Sequence, residues 1–227
     1  MPKQHITIAI DGPSGAGKSS MARAVAERFG LMYVDTGAIY RTVALAVKRA
    51  GINTKDTAGV LNLLPSLDIR VAYDAGGVQH MFLQGEDVSA ELRTPEISRY
   101  TSDVSTMPGV RAFLLEMQRA FARENSVVMD GRDIGTVVLP DADLKIFLTA
   151  SPEDRARRRF EELRAQGADI SYDEVFRDLL SRDKNDSERG AAPLKAAEGA
   201  TLLNTTGNTA EQSRALIFQI IAGRFGL

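Results

Sequence analysis

Gly12-Pro13-Ser14-Gly15-Ala16-Gly17-Lys18-Ser19 places two glycines around four residues, then a lysine and a hydroxyl. This is the full Walker A pattern, whose chemistry is phosphate binding. Glycines let the backbone wrap an anion, and successive N–H groups point inward at the positive end of a following helix. Lys18 supplies a mobile point charge for β- and γ-phosphates, and the Ser19 hydroxyl, with Ser20 behind it, can ligate Mg²⁺. Such a loop works only between a strand and a helix. Ile6 to Ile10 is short and β-branched, which predicts a buried strand, and Lys18 to Phe29 puts Met21, Ala24, Val25 and Phe29 on one helical face. That context argues against an accidental glycine-rich turn.

A phosphate donor needs an acceptor site, and three clusters are candidates. Asp35-Thr36-Gly37-Ala38-Ile39-Tyr40-Arg41 follows a second short strand, Met32 to Val34. Arg41 there could hold an acceptor phosphate bidentately, although taken alone it reads as a solvated helix charge. Asp130-Gly131-Arg132-Asp133-Ile134-Gly135-Thr136 follows an apolar strand ending at Met129, where ligands bind in open α/β sheets. Asp130 occupies a Walker-B-like place and could support Mg²⁺ indirectly. Arg132 and Asp133 could instead pair with each other at the surface. The third cluster is basic: Arg155, Arg157, Arg158, Arg159, Arg164, Arg177, Arg182 and Arg189. A solvated face accounts for part of it, since Glu161 and Glu162 lie among them. A lid that brings arginines over a transferring phosphoryl group accounts for the rest.

The elements that must position these groups alternate as short apolar runs and amphipathic segments, the signature of a parallel sheet covered by helices. Ala38 to Ala50 is predicted helical, stopping at Gly51. From Leu67 the period changes to two, with Leu67, Ile69, Val71 and Tyr73 on one face. A turn at Ala75-Gly76-Gly77 and a second run, Val78 to Leu83, make this an antiparallel hairpin. Residues 63–98 are therefore expected to be an insertion in one α/β domain spanning 1–227. Helix resumes after Pro108, and Val127 to Met129 and Leu144 to Leu148 are further strands. Ser151-Pro152-Glu153-Asp154 is a strong helix start, and Ser171 with Glu174 and Thr209 with Gln212 fit capping boxes. The helices after Ser151 and Ser171 would form the lid, 153–189. Leu202 and Leu203 suggest a last strand.

Bulk properties narrow the function. A net charge of −2 over 227 residues gives no general attraction for nucleic acid or anionic membrane. With no cysteine there is no disulfide or thiolate chemistry, which is compatible with a reducing compartment. Met1-Pro2-Lys3-Gln4-His5 runs into an apolar segment too short for a signal-peptide core, and no run reaches the ~18 residues that span a bilayer. A cytoplasmic location is expected. A GTPase would need an Asn-Lys-x-Asp segment, and the nearest string, Ser181 to Asp186, has the wrong order. Large motors are disfavoured by length. A small kinase remains, and its acceptor has a clue. Neither His5 nor His80 lies in the candidate site, so no histidine base is offered. An alcohol acceptor needs a base, whereas a monophosphate, with a second pKa near ~6, is already ionised at neutral pH.

Gly12–Ser20, Asp35–Arg41, Gly131–Thr136 and Arg182–Leu194 closely resemble the bacterial cytidylate kinase family, in order and along essentially the whole chain. The resemblance implies a P-loop kinase fold with an enlarged nucleotide-binding insertion, ATP as phosphoryl donor, CMP or dCMP as acceptor, Mg²⁺, and a monomer. It implies that Thr36, Arg41, Arg132 and Arg189 hold the CMP phosphate, with Gly37 and Tyr40 beside Thr36 and Arg41 in the same substrate-binding segment. Ser102, Arg111 and Asp133 would read cytosine, Arg182 and Asp186 would reach the sugar, and Arg158 would serve the ATP side. Thr36 stands where Ser also serves, and Ser19 where some relatives carry Gly; neither departure disturbs the pattern. Asp133, Arg111 and Ser102 also suit cytosine by polarity, because a carboxylate accepts from its N4 amino group. The rivals are a kinase for UMP or an alcohol such as shikimate, with Asp35 as its only candidate base, and a nucleotide-binding regulator without turnover.

Overall fold

The computed structural model describes residues 5–165 and 167–226. Met1–Gln4, part of the N-terminal segment read above for a signal peptide, lie outside the described residues, as does Gln166 in the expected lid. Five parallel strands, β1 (Thr7–Asp11), β2 (Met32–Asp35), β6 (Val127–Gly131), β7 (Leu144–Thr149) and β8 (Thr201–Asn204), form the main sheet in the order β2-β6-β1-β7-β8. Strand β1 is central, and all five of its residues are buried. It pairs with β6 on one side and β7 on the other, so the chain reverses direction across the sheet beside β1. That reversal opens a crevice at the carboxyl ends of the strands.

Alternation within buried strands divides the core into two layers. Ile8, Ile10, Ile146 and Leu148 point to one face, where Met21 and Val25 of α1 (Lys18–Phe29) meet Ile217 and Ile221 of α8 (Ala210–Phe225). Ala9, Val127 and Met129 point to the other, against Ile39, Val43 and Val47 of α2 (Thr36–Arg49) and Leu114 of α5 (Pro108–Glu124). Ile39, Val43 and Val47 are fully buried at spacing four, each worth about 1.5–3 kcal/mol on burial. Helix α2 is thereby fixed rigidly, and so are the acceptor-side residues on its first turns.

A second sheet, β3 (Ile69–Tyr73), β4 (Gln79–Leu83) and β5 (Glu86–Asp87), is antiparallel. Its hairpin is the one expected from the period-two run; the third strand is only two residues long, too short to leave a period. Three hydrogen bonds join the sheet to the end of β2. Gln79 receives the Asp35 amide on Oε1 at 2.8 Å and donates Nε2 to the Asp35 carbonyl at 3.2 Å, as a neighbouring strand would. The Tyr73 hydroxyl donates to the Tyr33 carbonyl at 2.9 Å.

Both capping boxes form, at Ser171–Glu174 opening α7 (Tyr172–Glu188) and at Thr209–Gln212 opening α8. The Ser151 hydroxyl accepts the Asp154 amide at the start of α6 (Pro152–Ala165). Two helices had gone unread, α3 (Thr57–Leu63) and α4 (Pro95–Val104). The second has a legible start in Thr94-Pro95-Glu96, and the Thr94 hydroxyl caps the Ile97 amide. It matters here because it carries Ser102. Helix α2 also begins two residues earlier than expected, at Thr36, because the Asp35 side chain caps it by accepting from the Ala38 amide at 2.8 Å.

Candidate active site

The carboxyl ends of β1, β2 and β6 open into a cleft of 860 Å³. Its floor is the loop between β1 and α1. Gly12 has a φ of +152°, and a β-carbon there would lie 1.9 Å from the Leu148 carbonyl oxygen, so no side chain fits. Gly12 and Pro13 form the root of the loop, and Ser14 through Ser20 line the cleft. Lys18 is buried, with its ammonium donating to the Pro13 carbonyl at 2.7 Å. Burial, and next the Arg132 guanidinium, pull its pKa down to about 7. An anion entering this loop would restore the charge.

Ser19 donates its hydroxyl to Asp130 at 2.8 Å, and the other Asp130 oxygen accepts from the Tyr33 hydroxyl at 2.8 Å. Burial, then the nearby Asp35 charge, raise the Asp130 pKa. The Thr36 hydroxyl donates to the Asp130 carbonyl at 2.7 Å, tying the start of α2 to the end of β6. Asp35 accepts both contacts of Arg41 Nη2, at 3.0 and 2.9 Å, and Arg93 approaches it at 3.8 Å. Burial opposes ionisation there, but Arg41, the Ala38 amide and Arg93 together hold the Asp35 carboxyl below its usual range. As a base it is weak and already occupied.

Another part of the cleft lining is a chain of alternating charges. Asp133 is buried, with one oxygen taking Arg111 and the other Arg189 at 3.4 Å. Arg111 also donates to the Ser105 carbonyl at 3.3 Å, and its guanidinium lies 5.5 Å from the centre of the Tyr40 ring. Arg189 donates to the Ala192 carbonyl at 2.6 Å and sits 3.8 Å from Asp186. Asp186 in turn accepts from Arg132 at 2.6 Å. Arg132 and Asp133 therefore do not pair with each other; each is held by α7 or its end. Arg182 faces the cleft without an ion pair among the described residues, and burial, then Arg132 and Arg159, lower its pKa. Arg132 and Arg159 are offset by Asp186 and Glu162, so Arg182 is the cation of the three that an entering anion would pair with most readily. Gly37 lines the same cleft, as does Ser102, whose hydroxyl accepts from Asn185 of α7 at 3.4 Å.

Helices α6 and α7 form the roof, and their arginines are not equivalent. Arg155 is buried and turned inward, donating to the carbonyls of Ala150 and Ser14 at 2.9 Å each and pairing with Asp183 at 2.7 Å. It fixes the root of the roof to the phosphate loop. Arg158 faces the cleft and donates to Asp154 and the Thr205 carbonyl, each at 2.6 Å. Arg157 and Arg159 also line the cleft, whereas Arg164 and Arg177 do not. Beyond Gly12 and Pro13, every residue given a phosphate-loop, acceptor or metal role from sequence thus reaches one cavity, whereas Arg155, Arg164 and Arg177 of the basic cluster do not. Asp11, Tyr33, Arg93 and Thr205 had not been singled out. Asp11 did leave a signal, an acid ending an otherwise apolar strand; Arg93 left none.

A phosphate loop, a buried carboxylate–hydroxyl pair beside it and an arginine-rich wall can bind two phosphorylated ligands end to end. The cytidylate kinase family profile matches residues 8–222. A cytidylate kinase of Carboxydothermus hydrogenoformans is 47% identical over 94% of this chain and 96% of that protein. One from Geobacter sp. strain M21 is 47% identical over 96% of this chain and 94% of that protein. An uncharacterized protein from Eubacterium ventriosum shares the fold, with a TM-score of 0.55 at 13% identity over 97% of this chain and 99% of that one. Matched from the first core strand to the last helix, the chain belongs to the cytidylate kinase family.

Proposed function

We propose that this chain, as a cytoplasmic monomer, transfers the γ-phosphoryl group of ATP to CMP or dCMP, yielding ADP and CDP or dCDP. The observation that carries the reading is Asp133, a buried carboxylate that lines the same cleft as Lys18 and is held by Arg111 and Arg189. A carboxylate retains lone pairs beyond these two bonds and can accept from cytosine N4, while Arg111 and Ser102 donate to N3 or O2. Thr36, Arg41, Arg132 and Arg189 hold the acceptor phosphate, and Arg182 and Asp186 reach the sugar. Residues 63–98 are the acceptor-binding insertion and 153–189 the lid.

An ionised oxygen of the CMP phosphate attacks the γ-phosphorus, the bond from that phosphorus to the β-bridging oxygen breaks, and ADP departs. No base is required. An alcohol acceptor would need one, and Asp35 is committed to Arg41 and to capping α2. Lys18, Arg132, Arg158 and Arg189 meet the charge that shifts onto the phosphate oxygens. Ser19 and Asp130 are hard oxygen donors bonded to each other beside the phosphate loop, a donor set that fits Mg²⁺. Ser19 would hold the ion with Asp130 supporting it indirectly, and the bound ion supplies positive charge against the phosphates.

Coupled ADP release with CMP, dCMP, UMP, AMP and shikimate as acceptors tests this. Fast turnover is expected with CMP and dCMP. Equal turnover with UMP or shikimate overturns the acceptor assignment, and no release with any acceptor makes the chain a nucleotide-binding regulator.

The lid makes a separate prediction. Amides of α6 and α7 should exchange hydrogen faster than those of β1 in the free protein and slow markedly when ATP and CMP analogues bind together. The first turn of α6, anchored by Arg155, should change least. Equal exchange with and without ligands would make these arginines a static face.

A further inference from the structure

Behind the residues that face the substrates, we infer that Asp11 is a positioning residue that sets how the acceptor's base is read. Asp11 ends β1 and is 3% exposed. Its two carboxylate oxygens accept the amides of Ile134 and Gly135, each at 2.7 Å. Those amides directly follow Asp133 and open a five-residue π-helical turn, Ile134–Val138. One side chain therefore pins the loop carrying Arg132 and Asp133 to the residue from which the phosphate loop departs. The donor and acceptor halves of the cleft are referenced to each other through it.

The junction has little slack. A β-carbon on Gly135 would lie 3.3 Å from Asp11 Oδ2, 3.2 Å from the Ala197 β-carbon and 3.3 Å from Lys145 Cγ. One on Gly131 would come within 2.7 Å of Ile134 Cδ1 and 2.9 Å of the Thr36 hydroxyl. A shift at Asp11 is passed to Asp133 rather than absorbed. Two converging N–H groups require two acceptors, and asparagine offers one oxygen and an amino group that would face an N–H. Burial is the main reason the Asp11 pKa rises, to about 6, with Asp133 adding to it.

The inference rests on the reading of Asp133 given above, and the experiment separates the two. Wild-type preference among monophosphates is measured first and tests that reading alone. Asp11→Asn is then assayed for kcat and KM with the preferred and the disfavoured pyrimidine monophosphate and with ATP, alongside thermal melting. Displacing a reacting or reading group by about an ångström costs on the order of 10²-fold. The expected result is a rise of ~10- to 10²-fold in KM for the preferred monophosphate and a fall of about tenfold or more in discrimination, with KM for ATP within about twofold. Gly135→Ala, which presses on the same contact from the other side and adds only a methyl, should reproduce the loss of discrimination. It also serves if Asp11→Asn does not fold. A uniform loss for both monophosphates, or an equal rise in KM for ATP, overturns the inference and leaves Asp11 a support of the fold.

Discussion

Replacing Lys18 with alanine should lower kcat by ~10²-fold or more, about 3 kcal/mol of transition-state stabilisation, while the fold survives. Among the described residues the ammonium has one hydrogen bond, to the Pro13 carbonyl at 2.7 Å. Its charge is suppressed by burial and by Arg132, to a pKa of about 7 against an ordinary 10.5. A site that holds a lysine this unfavourably is waiting for a negative partner. Between pH 7 and 10.5 the folded state binds fewer protons at Lys18 than the unfolded chain, so stability from this group rises with pH across that window. Removing the group near pH 7.5 therefore relieves a cost, and the melting temperature should not fall. Steady-state kinetics and thermal melting on the same preparation check both halves. Near-normal turnover contradicts the phosphate-loop assignment.

Asp133→Ala should lower kcat/KM for CMP by ~10- to 10³-fold and for UMP much less. Removing one buried hydrogen-bond partner costs ~1–3 kcal/mol, more when charge is involved. UMP never had the contact, since uracil presents O4, an acceptor, where cytosine presents an amino group. The same substitution strips Arg111 and Arg189 of their shared carboxylate, and breaking a buried pair costs about 3–5 kcal/mol of stability. Absolute rates alone are therefore a poor guide. The diagnostic is the CMP-to-UMP ratio at a temperature where melting shows the variant folded. Arg41→Ala, on the phosphate side and tied to Asp35, should harm both substrates about equally. An unchanged ratio in Asp133→Ala would remove the base-reading role.

What could be read from sequence was whatever is written locally. The phosphate loop, both capping boxes and the period change at Leu67 are each set by residues within about ten positions, and each appears in the structure. The charge pairing was not legible, because it joins distant segments: Arg132 finds Asp186 across 54 residues, not its neighbour Asp133. Arg155 looked like one more lid cation, yet burial against the Ser14 and Ala150 carbonyls makes it a tie. Asp35 looked like a possible base, and capping plus Arg41 take it out of that role. Helix α4 is also written locally, in its Thr94-Pro95-Glu96 start.

Competition between CMP and UMP tests the central claim most directly. With both at equal concentration, limiting γ-labelled ATP and the wild-type chain, the ratio of labelled CDP to labelled UDP equals the ratio of their kcat/KM values. A buried carboxylate that favours cytosine N4 over uracil O4 predicts ~10- to 10³-fold more CDP than UDP. Comparable amounts of the two products, or label in neither, would contradict it.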